Sequence, residues 1–214
     1  MIRLAIFDLD GTLVDSRVDL WRAVNHAMRV VDLPERTLEE VTSFIGEGAA
    51  KLVERAVSPR LDLRDRALAA WREHYQEHLL DNTVLFPGLA EILARADFDL
   101  AVHTNKPGDM ARKILVGLGV DSRFAEVVGG DEAPRKPHPG GTRAILERRG
   151  VAASDAVLVG DSLVDLETAR AVPVRFVAVG WGLVPSEALA RAGAVAIARS
   201  PSELASALEL PARS

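Results

Sequence analysis

The sequence predicts an α/β protein: a doubly wound parallel sheet interrupted near its start by an all-helical insert. Three observations predict it. Short apolar runs recur along the chain without polar alternation, as expected of parallel strands covered on both faces. Helical stretches separate these runs from residue 85 onward. The long stretch between the first run and residue 85 carries helical periodicity and no convincing strand.

The first strand is expected at Leu4 to Phe7. In the insert, Leu20, Val24, Ala27 and Val31 share one helical face, as do Leu68, Trp71, Tyr75 and Leu79. Thr37 to Ser43 and Glu47 to Val57 read as two shorter helices between them. The aromatic residues of these stripes read as core packing. Further strands are expected at Leu100 to His103, Glu126 to Val128, Ala156 to Val159, Phe176 to Val179 and Ala194 to Ile197. Helices are expected at Lys106 to Leu118, where Gly117 and Gly119 are stop signals, at Pro139 to Arg149 before Gly150, and at Ser162 to Ala171. The Ala-rich stretch Ser202 to Leu210 reads as a last surface helix. Residues 1–14 and 83–214 are thus expected to form an α/β core and residues 15–82 an inserted helical unit.

Composition narrows the function. The 214 residues carry a net charge of −5 with no basic stripe, which argues against a nucleic-acid partner. There is no cysteine, hence no thiolate nucleophile, disulfide framework or Cys-based zinc site. The short apolar run after Met1 is too brief for a signal peptide or a membrane span, so a cytoplasmic protein without a membrane partner is expected. Of 26 basic residues only Lys51, Lys106, Lys113 and Lys136 are lysines, which makes these positions worth inspecting.

Four polar clusters each follow an apolar run. Asp8-Leu9-Asp10-Gly11-Thr12 comes directly after the first, where open α/β sheets bind ligands. Two carboxylates this close need a cation or a proton to coexist, and Gly11 permits a sharp turn whose N–H groups meet an anion. His103-Thr104-Asn105-Lys106 offers a hydroxyl and an amide. Arg135-Lys136-Pro137-His138-Pro139 offers a lysine held by prolines. Gly160-Asp161-Ser162-Leu163-Val164-Asp165 adds two carboxylates four residues apart, expected on one helical face. Each cluster alone has a structural explanation as a helix cap or loop charge. Together they bring acid, hydroxyl, lysine and acid to one sheet edge.

This order of motifs resembles that of the haloacid dehalogenase superfamily of phosphohydrolases, over nearly the whole chain, with a Rossmann-like core and a helical cap. Thr104-Asn105-Lys106-Pro107, the stretch Ile45-Gly46-Glu47-Gly48-Ala49-Ala50, Phe86-Pro87-Gly88 and Gly129-Gly130-Asp131 are similar to the phosphoglycolate phosphatase branch. Glu132 departs slightly from the polar residue usual after that last triplet.

The resemblance implies a magnesium-dependent phosphatase acting on a small phosphorylated metabolite, as a monomer or homodimer. It makes Asp8 the nucleophile that forms an aspartyl-phosphate and Asp10 the general acid and base. It assigns Mg2+ to the Asp8 carboxylate, the Asp10 carbonyl and Asp161, with Asp165 orienting a bound water or Lys136. Lys136, Thr104 and the backbone N–H groups of Leu9 to Gly11 would surround the phosphoryl group, with Asn105 placing the phosphate or the leaving group. An oxygen-only set is a poor zinc site. Gly46, Glu47 and Gly48 open a cap helix whose N-terminus could attract the carboxylate of phosphoglycolate. Lys51 reads as a surface charge, and Lys106 as either a substrate contact or a surface residue at a helix start. His26, His74, His78 and His138 read as surface, packing or turn residues, with His103 facing away from the site. The alternatives are a phosphatase for sugar phosphates, nucleotides or pyrophosphate, a phosphomutase, and a phospho-aspartate signalling receiver.

Overall fold

The computed structural model of the protein describes residues 1–210. Its main sheet contains β1 (Leu4–Phe7), β4 (Asp99–His103), β5 (Glu126–Val128), β6 (Ala156–Gly160), β7 (Arg175–Val179) and β8 (Ile197–Ala198). The six strands lie in the order β5-β4-β1-β6-β7-β8, and every neighbouring pair is parallel. The apolar runs are unbroken because the strands are covered twice. Ala5 and Phe7 of β1 enter one core, while Leu4 and Ile6 enter the other. β6 and β7 divide in the same way, Val157, Val159, Val177 and Val179 from Leu158, Phe176 and Ala178. Burying a side chain such as Phe7 in this manner contributes about 1.5–3 kcal/mol.

β1 lies between β4 and β6, the first strands of the two directions in which the chain winds. Their carboxyl ends form the crevice where a doubly wound sheet receives its ligand. The connecting helices include α5 (Leu89–Arg95), α6 (Gly108–Gly117), α7 (Gly140–Arg149), α8 (Leu163–Ala171), α9 (Ser186–Arg191) and α10 (Pro201–Ala207).

Four helices lie between β1 and residue 84: α1 (Arg17–Val30), α2 (Leu38–Phe44), α3 (Ala49–Val57) and α4 (Arg64–Glu77). The expected stripes face inward, with Leu20, Val24, Ala27, Trp71, Tyr75 and Leu79 buried and Leu68 only partly so. Asn25 holds the turn before α2 through Arg36, accepting from its N–H at 2.8 Å and donating to its carbonyl at 3.0 Å.

The two chain crossings into and out of the helices pair as a small antiparallel ribbon, β2 (Val14–Asp15) with β3 (Val84–Leu85). Beside it the buried carboxylate of Asp19 accepts four bonds of 2.7–2.9 Å from the backbone and side chains of Asn82 and Thr83. Two-residue strands have no periodicity to detect, so sequence patterning missed this ribbon. It also missed α5 and α9. The last strand falls at Ile197–Ala198 rather than Ala194 to Ile197, because the Ala194 N–H closes the end of α9 on the Leu189 carbonyl.

Candidate active site

Each site residue sits at the end of a strand. Asp8 follows β1 and is 8% exposed, Thr104 and Asn105 follow β4, Lys136 lies in the loop after β5, and Asp161 follows β6. Gly11 at φ 86° turns the chain back toward β2, and a Cβ there would come within 2.3 Å of Asp161 Oδ2. That turn uses the Gly11 N–H on the Val14 carbonyl at 2.9 Å, which corrects the expectation that it faces an anion. The Leu9 N–H is directed at the Asp8 carboxylate itself.

Lys136 joins the acids. Its ammonium lies 2.9 Å from Asp8 Oδ1 and 2.6 Å from Asp165 Oδ1. Burial disfavours its charge, but the two carboxylates outweigh that and hold it protonated. Asp165 Oδ2 accepts from the hydroxyl of Ser162 at 2.5 Å and from its N–H at 3.1 Å, so both of its oxygens are engaged. Asp161 and Asp165 do not share a helical face. Ser162 caps α8, Asp165 stands in its first turn, and Asp161 precedes it. The end of β6 brings the pair together instead.

Asp161 accepts from Thr12 Oγ1 at 2.9 Å and from the Leu183 N–H at 2.7 Å. Burial, then Asp165 and Asp8, pushes its carboxyl up to about 8. Burial likewise lifts Asp8 to about 6, against the pull of Lys136. Oxygens of Asp8, Asp161 and Asp165 lie within 4.8 Å of one another. Buried, oxygen-only and strained by mutual repulsion, this donor set fits a hard divalent cation.

Asp10 Oδ1 accepts from Ser16 Oγ at 2.5 Å and pairs with Lys106 Nζ at 3.0 Å. The surface reading of Lys106 is thereby corrected. It is 6% exposed, and its ammonium donates to the Tyr75 hydroxyl at 2.7 Å. Burial pushes the Tyr75 hydroxyl up to about 12, so it stays neutral. Lys106 escapes the helix surface because Pro107, not Lys106, caps α6. Its rarity in an arginine-rich chain was the available signal. Ser16 and Tyr75 carried none.

Asn105 is also differently placed from its expected role. Its amide donates to the Gly46 and Lys136 carbonyls, both at 3.0 Å, and accepts from the Lys136 N–H at 2.8 Å. It holds the lysine loop to the helical insert rather than presenting a donor to phosphate. Thr104 Oγ1 accepts from the Lys106 N–H at 3.2 Å, a bond that leaves the hydroxyl's own proton to donate.

A pocket opens over Asp8, Asp10, Thr104, Asn105 and Lys106. Its opposite wall is Leu20, Ile45, Gly46, Gly48, Ala49, Leu52 and Trp71, so the start of α3 does face the site. Gly48 approaches closely, and a Cβ on it would lie 3.0 Å from the Asn105 carbonyl oxygen. Glu47 is outside this lining, its carboxylate paired with Arg55. Lys51 is exposed and pairs with Glu54. Glu132 pairs with Arg112 and accepts from the Gly129 N–H, a structural use for the departure noted in the sequence.

His103 turns toward α7, sharing a 2.9 Å hydrogen bond with Thr142 Oγ1. Burial, then Lys136, pushes its imidazole down to about 3. An unfolded histidine takes a proton near 6.5. Between these values the unfolded chain binds the extra proton, so stability is present above pH 6.5 and lost as pH falls, by up to about 1.4 kcal/mol per unit. The lifted carboxyls of Asp161 and Asp8 work in the opposite sense, which makes a difference measurement necessary. From pH 7 to pH 5 the urea midpoint of wild type should drop relative to that of His103→Asn, whichever way each moves on its own. Parallel profiles would rule His103 out as the source.

Comparison with known proteins gives the chain a family. Residues 5–179 match the model of the haloacid dehalogenase-like hydrolase family. The chain belongs to that family. It is 40% identical over 210 residues to a phosphoglycolate phosphatase of Rhodospirillum rubrum, covering 92% of this chain and 87% of that one. It is 39% identical over 191 residues to a phosphoglycolate phosphatase of Colwellia psychrerythraea, covering 83% and 84%. A crystal structure of a predicted phosphoglycolate phosphatase from Haemophilus somnus superposes with a TM-score of 0.90 at 30% identity, covering 97% of this chain and 98% of that one. The protein is a phosphatase of the haloacid dehalogenase-like hydrolases, and its fold class, a parallel sheet with helices, is the one that the sequence predicted. No helix among the described residues is long and apolar enough to cross a membrane.

Proposed function

We propose that the protein is a magnesium-dependent phosphomonoester hydrolase that works through an aspartyl-phosphate on Asp8, with 2-phosphoglycolate as its substrate. One observation carries the reading. Among the described residues, four carboxylates, those of Asp8, Asp10, Asp161 and Asp165, meet two ammonium groups, those of Lys106 and Lys136, at the switch point of the sheet. A divalent cation would neutralise the excess, held by Asp8, Asp161 and the Asp10 carbonyl. When bound it supplies charge neutralisation at the phosphoryl oxygens.

In this reading an Asp8 carboxylate oxygen attacks phosphorus. The new P–O bond replaces the ester P–O bond, and Asp10 gives the departing alkoxide its proton. Asp10 then takes a proton from water, whose oxygen attacks the same phosphorus and returns Asp8 as a carboxylate with free phosphate. Lys136 and Thr104 offset the charge that builds on the phosphoryl oxygens. Asp165 keeps Lys136 aimed at Asp8. Residues 15–82 serve as the cap and residues 1–14 with 83–210 as the catalytic core; residues 211–214 of the expected core lie outside the described residues. The Gly46–Asn105 hydrogen bond is a contact through which cap closure is felt at Lys136.

The substrate reading rests on the names of the two relatives above and on the mainly apolar cap wall, which offers no hydroxyl or amide side chain to a sugar ring. Phosphate release should be measured for 2-phosphoglycolate, sugar phosphates, nucleoside monophosphates and pyrophosphate, with Mg2+ or with EDTA. We expect 2-phosphoglycolate to lead, release to vanish in EDTA, and the melting temperature to climb with Mg2+ concentration. A different leader would overturn the substrate. Isomerisation of a sugar phosphate without net release would overturn hydrolysis in favour of a mutase.

A further inference from the structure

Two features of the pocket are given no contact with the substrate by the chemistry above. An ammonium has three N–H donors. Lys106 directs one at Tyr75 and pairs with Asp10, and among the described residues nothing takes the third. Its head also lies 4.6 Å from the centre of the Tyr75 ring, a second hold on its position. Trp71 lines the same pocket with its ring 4.9 Å from that of Tyr75; it is 2% exposed, and its indole N–H is buried without an acceptor among the described residues. Buried donors are nearly always satisfied, so an orphan in a pocket wall points to a ligand that satisfies it.

We infer that Lys106 and the Trp71 indole N–H form a subsite for the carboxylate of the substrate, so that a short phosphorylated acid spans two buried lysines. The phosphoryl end lies with Asp8 and Lys136, and the acid end with Lys106 and Trp71. A carboxylate accepts one charge-assisted bond and one neutral bond without strain. The apolar surface of Leu20, Ile45 and Leu52 around it removes water and strengthens the ion pair. A phosphomonoester without an acid group leaves the indole N–H unsatisfied, which makes the subsite a selectivity device. The inference rests on the phosphatase reading and deepens it by naming what reads the substrate's second charge.

The test compares 2-phosphoglycolate with ethyl phosphate, which keeps a primary ester oxygen and lacks the carboxylate. The readout is the ratio of their kcat/KM values, which cancels any general effect of Lys106 on Asp10. We expect Lys106→Gln to lower this ratio by about 30-fold or more, mostly through KM for the acid, in line with removal of a charged partner. Trp71→Phe keeps an aromatic side chain without the N–H and should lower it by about fivefold, a second handle should the buried lysine prove necessary for folding. Unchanged ratios with both rates reduced would overturn the inference and leave Lys106 as a partner of Asp10 alone. Failure of the phosphoglycolate reading shows separately, in wild type, as another metabolite leading the panel. An acidic leader would be tested by the same ratio against its analogue without the acid group. A leader with no second anionic group would overturn the subsite.

Discussion

Asp8→Asn should lose phosphate release by on the order of 10⁴-fold or more while keeping a cooperative fold. The amide is nearly isosteric with the carboxylate but has no anionic oxygen to attack phosphorus. Its fold should survive for an electrostatic reason. Burial pushes the Asp8 carboxyl up to about 6, so ionising it at pH 8 costs the native state more than the unfolded chain. For a lifted acid the linkage sign is that native stability is greatest below the unfolded value and diminishes as pH rises through about 6. Asparagine removes that penalty, and it also removes a charge that faces Asp161 and Asp165. In EDTA at pH 8 the variant should therefore melt no lower than wild type, although Lys136 keeps only Asp165 as an ionic partner. The rise in melting temperature on adding Mg2+ should shrink. Residual activity above about 1% would exclude Asp8 as the nucleophile, because no other group could supply that step so nearly as well.

How far the sequence foretold this site depends on what kind of signal each residue carries. Asp8, Thr104, Lys136 and Asp161 were legible because each follows a strand whose unbroken apolar run announces a doubly covered sheet. Parallel strands send their carboxyl ends to one edge, so chain order alone brought the four together. Asp10 and Asp165 came with them through short spacing. What stayed hidden was whatever depends on the path of the chain between elements. The Gly11 N–H looked available until the return toward β2 consumed it. Asn105 looked like a phosphate ligand until both donors proved to be engaged by Gly46 and Lys136. Asp19 reads as an ordinary first-turn acid, and only the return of Asn82 and Thr83 across a gap of more than sixty residues turns it into the anchor of the insert. Lys106 was ambiguous because Thr-Asn-Lys-Pro reads equally as a helix start. The choice between surface and interior was made by Tyr75, on a different helix.

Lys136→Met should be the most destabilising single change at the site, with a loss of about 3–5 kcal/mol in EDTA. Lys136 is 4% exposed and pairs with Asp8 and Asp165. Methionine fills a similar volume but leaves the two buried carboxylates facing each other, with Asp161 nearby and no cation between them. Breaking such a pair from one side costs far more than the intact pair contributes, because the remaining charge is desolvated without compensation. For a chain of this size the loss corresponds to a fall in melting temperature of about 10 °C. Activity should fall by about 10²–10³-fold, the usual cost of removing one preorganised positive partner from a site of developing negative charge. Lys136→Met with Asp165→Asn separates these effects. The amide removes one stranded charge and can still accept from the Ser162 N–H at the start of α8. Stability should recover by more than half while activity does not, a non-additive result expected of residues in contact. Mg2+ should stabilise the single variant more than it stabilises wild type, since the cation then meets a more negative cluster. If Lys136→Met cost less than about 1 kcal/mol and Asp165→Asn restored nothing, the acids would not depend on the lysine for charge balance, and the case for a divalent cation as the missing charge would weaken with it.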